Sequence, residues 1–106
     1  LRRAVLNLAT NAARHARARV SLVARQSGDR TWIHVDDDGP GVPAEARQRV
    51  FEPFCRLDPS RGSDSGGVGL GLAIVQRIAL VHGGRAEVAV SPAGGARFTL
   101  ELPTSA

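Results

Sequence analysis

A glycine-rich passage over residues 66–75 constrains the fold of this chain more than any other stretch. Glycines alternate there with aliphatic residues, and the alternation gives way to an apolar run with helical spacing. Such a passage lets backbone N–H groups converge on an anion at the start of a helix, where the helix dipole has its positive end. A flexible loop followed by a core helix explains the pattern equally well. The stretch therefore predicts either a phosphate site or simple flexibility.

Two common phosphate-binding motifs do not fit this passage. A Walker A loop requires Lys followed by Ser or Thr after the glycines, and neither is present. In a dinucleotide-binding fingerprint the third glycine would fall on Leu72, and no strand is predicted before the loop. A phosphate site here would belong to another architecture.

Length and composition predict one soluble globular domain over residues 1–106. The chain is 42% apolar and 23% charged, and its net charge of +4 comes from arginine, because it contains no lysine. This basicity fits a phosphate-bearing ligand or an acidic partner. Scattered arginines and an aromatic content of 4% argue against nucleic-acid binding. Cys55 is the only cysteine, which excludes an internal disulfide. The chain opens within a helical pattern and without Met, so we expect a piece of a larger protein.

Residues 1–17 predict an amphipathic helix with two asparagines on one edge. Asn7 and Asn11 are four residues apart, and Arg14 and His15 follow one turn later on the same edge. These residues form either a polar border facing solvent or a site in which amide oxygens bind Mg²⁺ and N–H groups meet phosphate. The apolar stripe consists of Leu1, Val5, Leu8, Ala12 and Ala16.

Three adjacent aspartates follow a predicted hairpin of strands 19–25 and 31–36. They continue into glycine-rich sequence, as Asp36-Asp37-Asp38-Gly39-Pro40-Gly41. A Ca²⁺ loop is excluded because Gly39, Pro40 and Gly41 offer no side-chain oxygen. Two interpretations stay open. The segment is either a solvated turn or a site where one Asp accepts a hydrogen bond from a ligand amine, with glycines letting a flat ring approach the backbone.

The remaining segments complete an α+β pattern. Residues 43–50 predict a short helix, residues 51–54 an apolar plug for the core, and residues 55–67 a long lid or binding loop carrying Arg56 and Arg61. Residues 70–81 predict a second long helix that ends at the glycines after His82. Strands 85–90 and 97–102 form a final hairpin. The inward residues predicted for these elements are Leu70, Ile74, Ile78, Val81, Ala86, Val88, Val90, Phe98, Leu100 and Leu102. The sum is a two-layer sandwich of a mostly antiparallel sheet on two long helices and one short helix.

Four segments, in this order and spacing, resemble the catalytic ATP-binding domain of sensor histidine kinases. This domain belongs to the superfamily shared with gyrase, Hsp90 and MutL, and the chain looks most like the EnvZ and RstB type. Together the segments span residues 7–75, and each alone would be a weak or moderate signal. They resemble the N, G1, F and G2 boxes and read Asn7-Leu-Ala-Thr-Asn11-Ala-Ala-Arg14-His15, Asp37-Asp38-Gly39-Pro40-Gly41, Phe51-Glu52-Pro53-Phe54 and Gly67-Val68-Gly69-Leu70-Gly71.

The resemblance implies a Bergerat-type fold with an ATP lid, and a role for each matching residue. Asp37 would accept the adenine amino group, beside Gly39 and Gly41. Asn11 would bind Mg²⁺ with support from Asn7. The lid, from Arg56 to Gly67, is expected to lack order without nucleotide. The other nucleotide contacts would come from Arg14, His15, Arg56 (at the γ-phosphate), Leu57, Gly67, Val68, Gly69, Leu70, Gly71 and Leu72.

The same resemblance implies a kinase rather than an ATPase. Related ATPases and anti-sigma-type serine kinases carry Glu four residues before the metal-binding Asn, where this chain has Asn7, and an amide cannot act as a general base. Transfer would go to a histidine on a separate dimerisation domain, with a response regulator downstream. No histidine here has the context of a phosphoacceptor, so this domain should not autophosphorylate alone. The parent would be a homodimeric inner-membrane sensor of a bacterium, with this domain in the cytoplasm. A related ATPase or serine kinase, or a non-enzymatic nucleotide-binding module, is the alternative.

Overall fold

The computed structural model describes residues 2–53 and 71–104 and confirms the two-layer α+β sandwich. A four-stranded antiparallel sheet has the strand order β1-β2-β4-β3, and two helices pack on one of its faces. Two single turns of 3-10 helix lie between β2 and the second helix. The elements are α1 (Arg2–His15), β1 (Val20–Ser27), β2 (Arg30–Asp37), the 3-10 turns Ala44–Ala46 and Arg49–Phe51, α2 (Gly71–Val81), β3 (Arg85–Val90) and β4 (Ala96–Pro103).

The core lies between the central strands and small residues on the helices. In α1 the buried residues are Ala4, Leu8 and Ala12, which recur every four positions and so form one narrow stripe. Phe51 packs edge-on against Phe98 of β4, with ring centroids 6.0 Å apart. This contact confirms that Phe51, the first residue of the predicted apolar plug, packs into the core. The largest fully buried side chains are Leu8, Val35, Val75 and Leu100.

Three details of the fold differ from the sequence prediction. The short helix over residues 43–50 is present as the two 3-10 turns, because Ala46, Val50 and Phe51 reach the core from separate turns. In α2 the buried residues are Val75 and Ala79, while Val81 is 70% exposed at the helix end. Of the residues predicted to face inward, Ile78 is half-buried and packs against the core, and Ile74 is half-buried.

The third difference lies at the margins of the sheet. Val90 ends β3, an edge strand, and is exposed rather than buried. Leu22 pairs with Val35 and therefore shares the face that the helices cover, yet it is 52% exposed. The helix layer thus leaves the other edge strand, β1, uncovered. One side of α1 borders an open recess of about 490 Å³ lined by Arg2, Val5, Leu6 and Ala9. Neither helix in the described ranges is long and apolar enough to cross a membrane.

The outer face of the sheet carries a buried polar cluster centred on His34. The Nδ1 atom of His34 shares a 2.8 Å hydrogen bond with the hydroxyl of Thr99 on the neighbouring strand. Two residues along, Arg97 donates two hydrogen bonds of 2.7 and 2.9 Å to the Asp36 carboxylate. Burial lowers the pKa of His34, Arg97 and Arg25 lower it further, and Asp36 opposes them. Folding thereby favours the neutral imidazole over the charged one.

This lowered pKa predicts a loss of stability on acidification. Below about pH 6.5 the unfolded chain binds a proton on His34 that the folded chain does not, so the free energy of unfolding falls until the pH reaches the folded-state pKa. Urea unfolding between about pH 8 and about pH 5 should show this decline, and His34→Gln should flatten it. An unchanged slope in His34→Gln would contradict the assignment.

Candidate functional site

The carboxylate of Asp37 is buried at the end of β2 and only half satisfied. It is 2% exposed, and its Oδ1 atom accepts hydrogen bonds from the backbone N–H groups of Gly39 at 2.8 Å and Ala96 at 3.1 Å. Its Oδ2 atom is enclosed and, within the described part of the chain, has no hydrogen-bond partner. A buried acceptor without a donor costs on the order of 1–3 kcal/mol or more. This residue is therefore no solvated turn, and Oδ2 suits a ligand that brings an N–H donor.

The three neighbouring aspartates, Asp36 to Asp38, each accept hydrogen bonds from different donors. These donors offset the repulsion that adjacent carboxylates would otherwise exert on one another. Asp36 pairs with Arg97 on the outer face of the sheet. Asp38 accepts hydrogen bonds from the backbone N–H groups of Arg17 at 2.8 Å and Ala18 at 3.1 Å, just beyond the end of α1. These backbone bonds, that of Ala18 foremost, lower the pKa of Asp38. Asp37 alone offers an oxygen for a ligand.

The glycines after Asp37 bring three backbone segments together. A Cβ atom on Gly39 would lie 2.2 Å from the carbonyl oxygen of His15, so this glycine admits the end of α1. The close approach at Gly39 is thus to backbone, whereas the sequence interpretation assigned it to a ligand ring. Gly41 has a φ of +77°, in the left-handed region that favours glycine. A Cβ atom on it would lie 3.5 Å from the carbonyl oxygen of Gly95. These contacts fix the backbone that carries Asp37.

The asparagines of α1 lie on the edge that faces the start of α2. The Nδ2 atom of Asn7 donates a 3.3 Å hydrogen bond to the carbonyl of Gly71, the first residue of α2. Asn11, one turn along, is half-buried, and its amide makes no hydrogen bond within the described ranges. Arg14 and His15 are exposed in the last turn of the helix. The structure therefore joins the asparagine helix to the end of the glycine-rich passage.

The first half of the glycine-rich passage, residues 66–70, and the whole lid lie outside the described residues. Gly71 is exposed at the start of α2, and Leu72 is half-buried against the core. No three His, Cys, Asp or Glu side chains gather as a metal site in residues 2–53 and 71–104. A metal here would thus depend on amide oxygens and on its ligand. The predicted site residues outside the description are Arg56, Leu57, Gly67, Val68, Gly69 and Leu70.

The sequence interpretation missed the part of the site that the β3–β4 hairpin supplies. The hydroxyl of Ser91 donates a 2.7 Å hydrogen bond to the backbone carbonyl of Asp37, and Ala96 binds the carboxylate of the same residue. A Cβ atom on Gly95 would lie 2.4 Å from Asp37 Oδ1. Ser91 and the glycines resembled ordinary turn residues, and only the strand order brings them to the end of β2.

Comparison with known proteins agrees with this geometry along the whole chain. The family model described as histidine kinase-, DNA gyrase B- and HSP90-like ATPase matches residues 1–106. The sensor protein RstB of Escherichia coli K12 is 48% identical over 103 residues, which are 97% of this chain and 24% of that protein. The chain thus spans about a quarter of this relative.

Two solved structures share the fold closely. The ATP-binding domain of PrrB from Mycobacterium tuberculosis has a TM-score of 0.76 and 41% identity, and the match covers 97% of this chain and 66% of that one. Full-length ShkA in complex with AMPPNP has a TM-score of 0.83 and 39% identity, and the match covers 99% of this chain and 22% of that one. With its aspartate at the end of β2 and its asparagine helix against α2, the chain belongs to the family of histidine kinase-, DNA gyrase B- and HSP90-like ATPases.

Proposed function

We propose that this chain is the ATP-binding catalytic domain of a sensor histidine kinase. It would hold Mg-ATP so that the γ-phosphoryl group passes to a histidine on a separate dimerisation domain. The observation that carries the proposal is the buried Oδ2 atom of Asp37, an acceptor for which the described residues provide no donor, at the meeting point of β2, the end of α1 and the β3–β4 hairpin.

The Oδ2 atom favours adenine over a purine that carries a carbonyl at the 6-position. The exocyclic amino group of adenine is an N–H donor and would satisfy Oδ2, directly or through a water. A base with a carbonyl at that position would set an acceptor against an acceptor and leave both unpaired. A site built around such a donor rejects ligands that lack it by as much as about 10⁴-fold. ShkA, which shares the fold, was solved with AMPPNP, an adenine nucleotide, and this supports the assignment.

Magnesium is the proposed metal, and the donor set of α1 fits it. The Oδ1 atom of Asn11 is a hard oxygen ligand, and Mg²⁺ in nucleotide sites takes few protein ligands and completes its shell with water and phosphate. Asn7 donates its amide N–H to the carbonyl of Gly71, so its Oδ1 atom is the part of the side chain left for a metal on this edge of α1. When bound, the metal neutralises charge on the phosphates. The two asparagines would hold it, and Arg14 and His15 lie in the last turn of the same helix.

Asn7 also favours phosphoryl transfer over hydrolysis. Hydrolysis needs a group that takes a proton from water, and a neutral amide cannot do so at neutral pH. Its hydrogen bond to Gly71 gives it a structural task, which is to tie α1 to α2. The domain would therefore hold ATP until a histidine is presented, and positioning and charge stabilisation would carry the transfer. An ATPase, a serine kinase of the same family or a passive nucleotide-binding module is less well supported.

The rest of the protein is inferred from the relatives. The chain spans 24% of RstB, so a dimerisation domain and a membrane anchor would lie in parts of the same protein outside residues 1–106. The response regulator would be a separate partner. We propose a homodimeric inner-membrane sensor with this domain in the cytoplasm. The roles of Arg56, Leu57 and Gly67 to Leu72 at the phosphates stay predictions.

Nucleotide titration and turnover assays test the function. Calorimetry should show ATP binding that strengthens with Mg²⁺, while steady-state release of phosphate stays at the level of buffer. In a chain that joins this domain to its histidine-bearing domain, labelled ATP should yield an acid-labile, base-stable phosphoprotein. Sustained phosphate release without any acceptor would favour the ATPase instead. An absence of ATP binding would refute the nucleotide assignment.

A further inference from the structure

The end of β2 has an unusual pairing with β4 where the functional aspartate begins. The β2–β4 ladder runs through the pair Asp36–Arg97 and stops there. One residue on, the N–H of Ala96 bonds the side chain of Asp37 rather than its backbone. The backbone carbonyl of Asp37 is bound instead by the hydroxyl of Ser91, at 2.7 Å. A serine side chain thus bonds a strand carbonyl at the point where the ladder has ended.

Ser91 is itself locked in place. It is 4% exposed, and its hydroxyl accepts a 3.0 Å hydrogen bond from the N–H of Gly95 while it donates to Asp37. Its backbone N–H donates to the carbonyl of Gly95, and its carbonyl accepts from Gly94. With donor and acceptor both engaged, the hydroxyl has one orientation. The β3–β4 hairpin therefore binds the backbone carbonyl of Asp37 through a hydroxyl whose position is fixed.

We propose that Ser91 is a positioning residue for recognition of the purine base, an inference that rests on the proposed function of Asp37. Two backbone N–H groups saturate Oδ1 and leave Oδ2 for the ligand, but this distinction holds only while the Asp37 backbone is fixed. Without the Ser91 hydroxyl the backbone of Asp37 loses a hydrogen bond at its carbonyl and can shift, which moves Oδ2 out of line with the amino group of the base. Selectivity for an amino group over a carbonyl at the purine 6-position then falls, while the phosphate contacts are unaffected.

The test compares ATP with inosine triphosphate, which carries a carbonyl in place of the amino group. Ser91→Ala should raise the Kd of ATP about tenfold and that of inosine triphosphate less than about twofold, so the ratio of the two falls about tenfold. A purely structural loss would lower the folded fraction and weaken both nucleotides equally. The ratio therefore separates positioning from stability.

Thr99→Val is the matched control. Thr99 lies on the neighbouring strand, is 9% exposed and shares one hydrogen bond with His34, so its loss also removes a buried hydroxyl. It should lower the unfolding temperature and leave the nucleotide ratio at its wild-type value. Ser91→Cys, with similar volume and a much weaker donor, replaces Ser91→Ala if the latter does not fold. It should also lower the ratio.

The possible outcomes separate the role of Ser91 from the proposed function of the domain. A wild-type ratio in folded Ser91→Ala or Ser91→Cys, or an equal change in Thr99→Val, would overturn the role of Ser91 and leave the nucleotide site intact. A wild-type protein that binds both nucleotides equally would instead refute adenine recognition by Asp37, and one that binds neither would refute the proposed function.

Discussion

Asp37→Asn should weaken ATP binding by about 100-fold or more and reverse the preference between bases. The oxygen of the new amide will take the place of Oδ1, because the N–H groups of Gly39 and Ala96 require an acceptor there. The amide nitrogen then occupies the position of Oδ2 and points a donor at the adenine amino group. Losing a hydrogen bond to a charged group and gaining a donor–donor contact together cost about 3 kcal/mol or more, which corresponds to at least two orders of magnitude in Kd. Calorimetry with ATP measures this loss.

The same variant should improve in relative terms for inosine triphosphate, whose carbonyl can accept from the new amide. This gain distinguishes altered recognition from damage to the fold, since a damaged site would weaken both nucleotides. Asp36→Asn is the control, because Asp36 is the adjacent residue but points to Arg97 on the other face of the sheet. It should lose stability and keep the preference for ATP. Unchanged ATP affinity in Asp37→Asn would rule out the adenine assignment.

The sequence predicted the parts of this site that depend on local spacing. Asn7 and Asn11 are four residues apart, so any helix over residues 1–17 places them on one edge. Asp37 follows an alternating segment, so it had to lie at a strand end. That Asn7, Asn11 and Asp37 serve one ligand was inferred from the order of the four segments, which resembles a known family. The fold and the family match agree with that resemblance.

What the sequence did not predict depends on contacts between distant segments. Ser91 and Asp37 are 54 residues apart and meet only because β4 lies between β2 and β3 in the sheet. The inward face of α2 was predicted only in part: Ile78 packs against the core as expected, but the fully buried residues are Val75 and Ala79, and Val81 is exposed. In both cases tertiary packing decided between choices that periodicity leaves nearly equal.

Gly95→Ala should be a strongly destabilising change in the site. A Cβ atom there would lie 2.4 Å from both the carbonyl oxygen and Oδ1 of Asp37, and 2.7 Å from the nitrogen of Gly39. All three atoms belong to the backbone or to a buried carboxylate, so none can move without breaking the hydrogen bonds of Ser91 and Ala96. We expect a loss of about 3 kcal/mol, at the upper end of the usual cost of overpacking, and a fall in unfolding temperature of roughly 10 to 20 °C. Differential scanning calorimetry measures both.

ATP binding by Gly95→Ala should also fall by more than its loss of stability explains, because the displaced group is the acceptor for the base. The binding measurement is made well below the unfolding temperature of the variant, where nearly all molecules are folded. Ala93→Ser adds one atom to the same hairpin at an exposed position and should change neither property. If Gly95→Ala keeps wild-type stability, the hairpin does not press against Asp37. If it loses stability but binds ATP normally, the hairpin supports the fold without shaping the base site, because the same atoms would then have moved without consequence for the ligand.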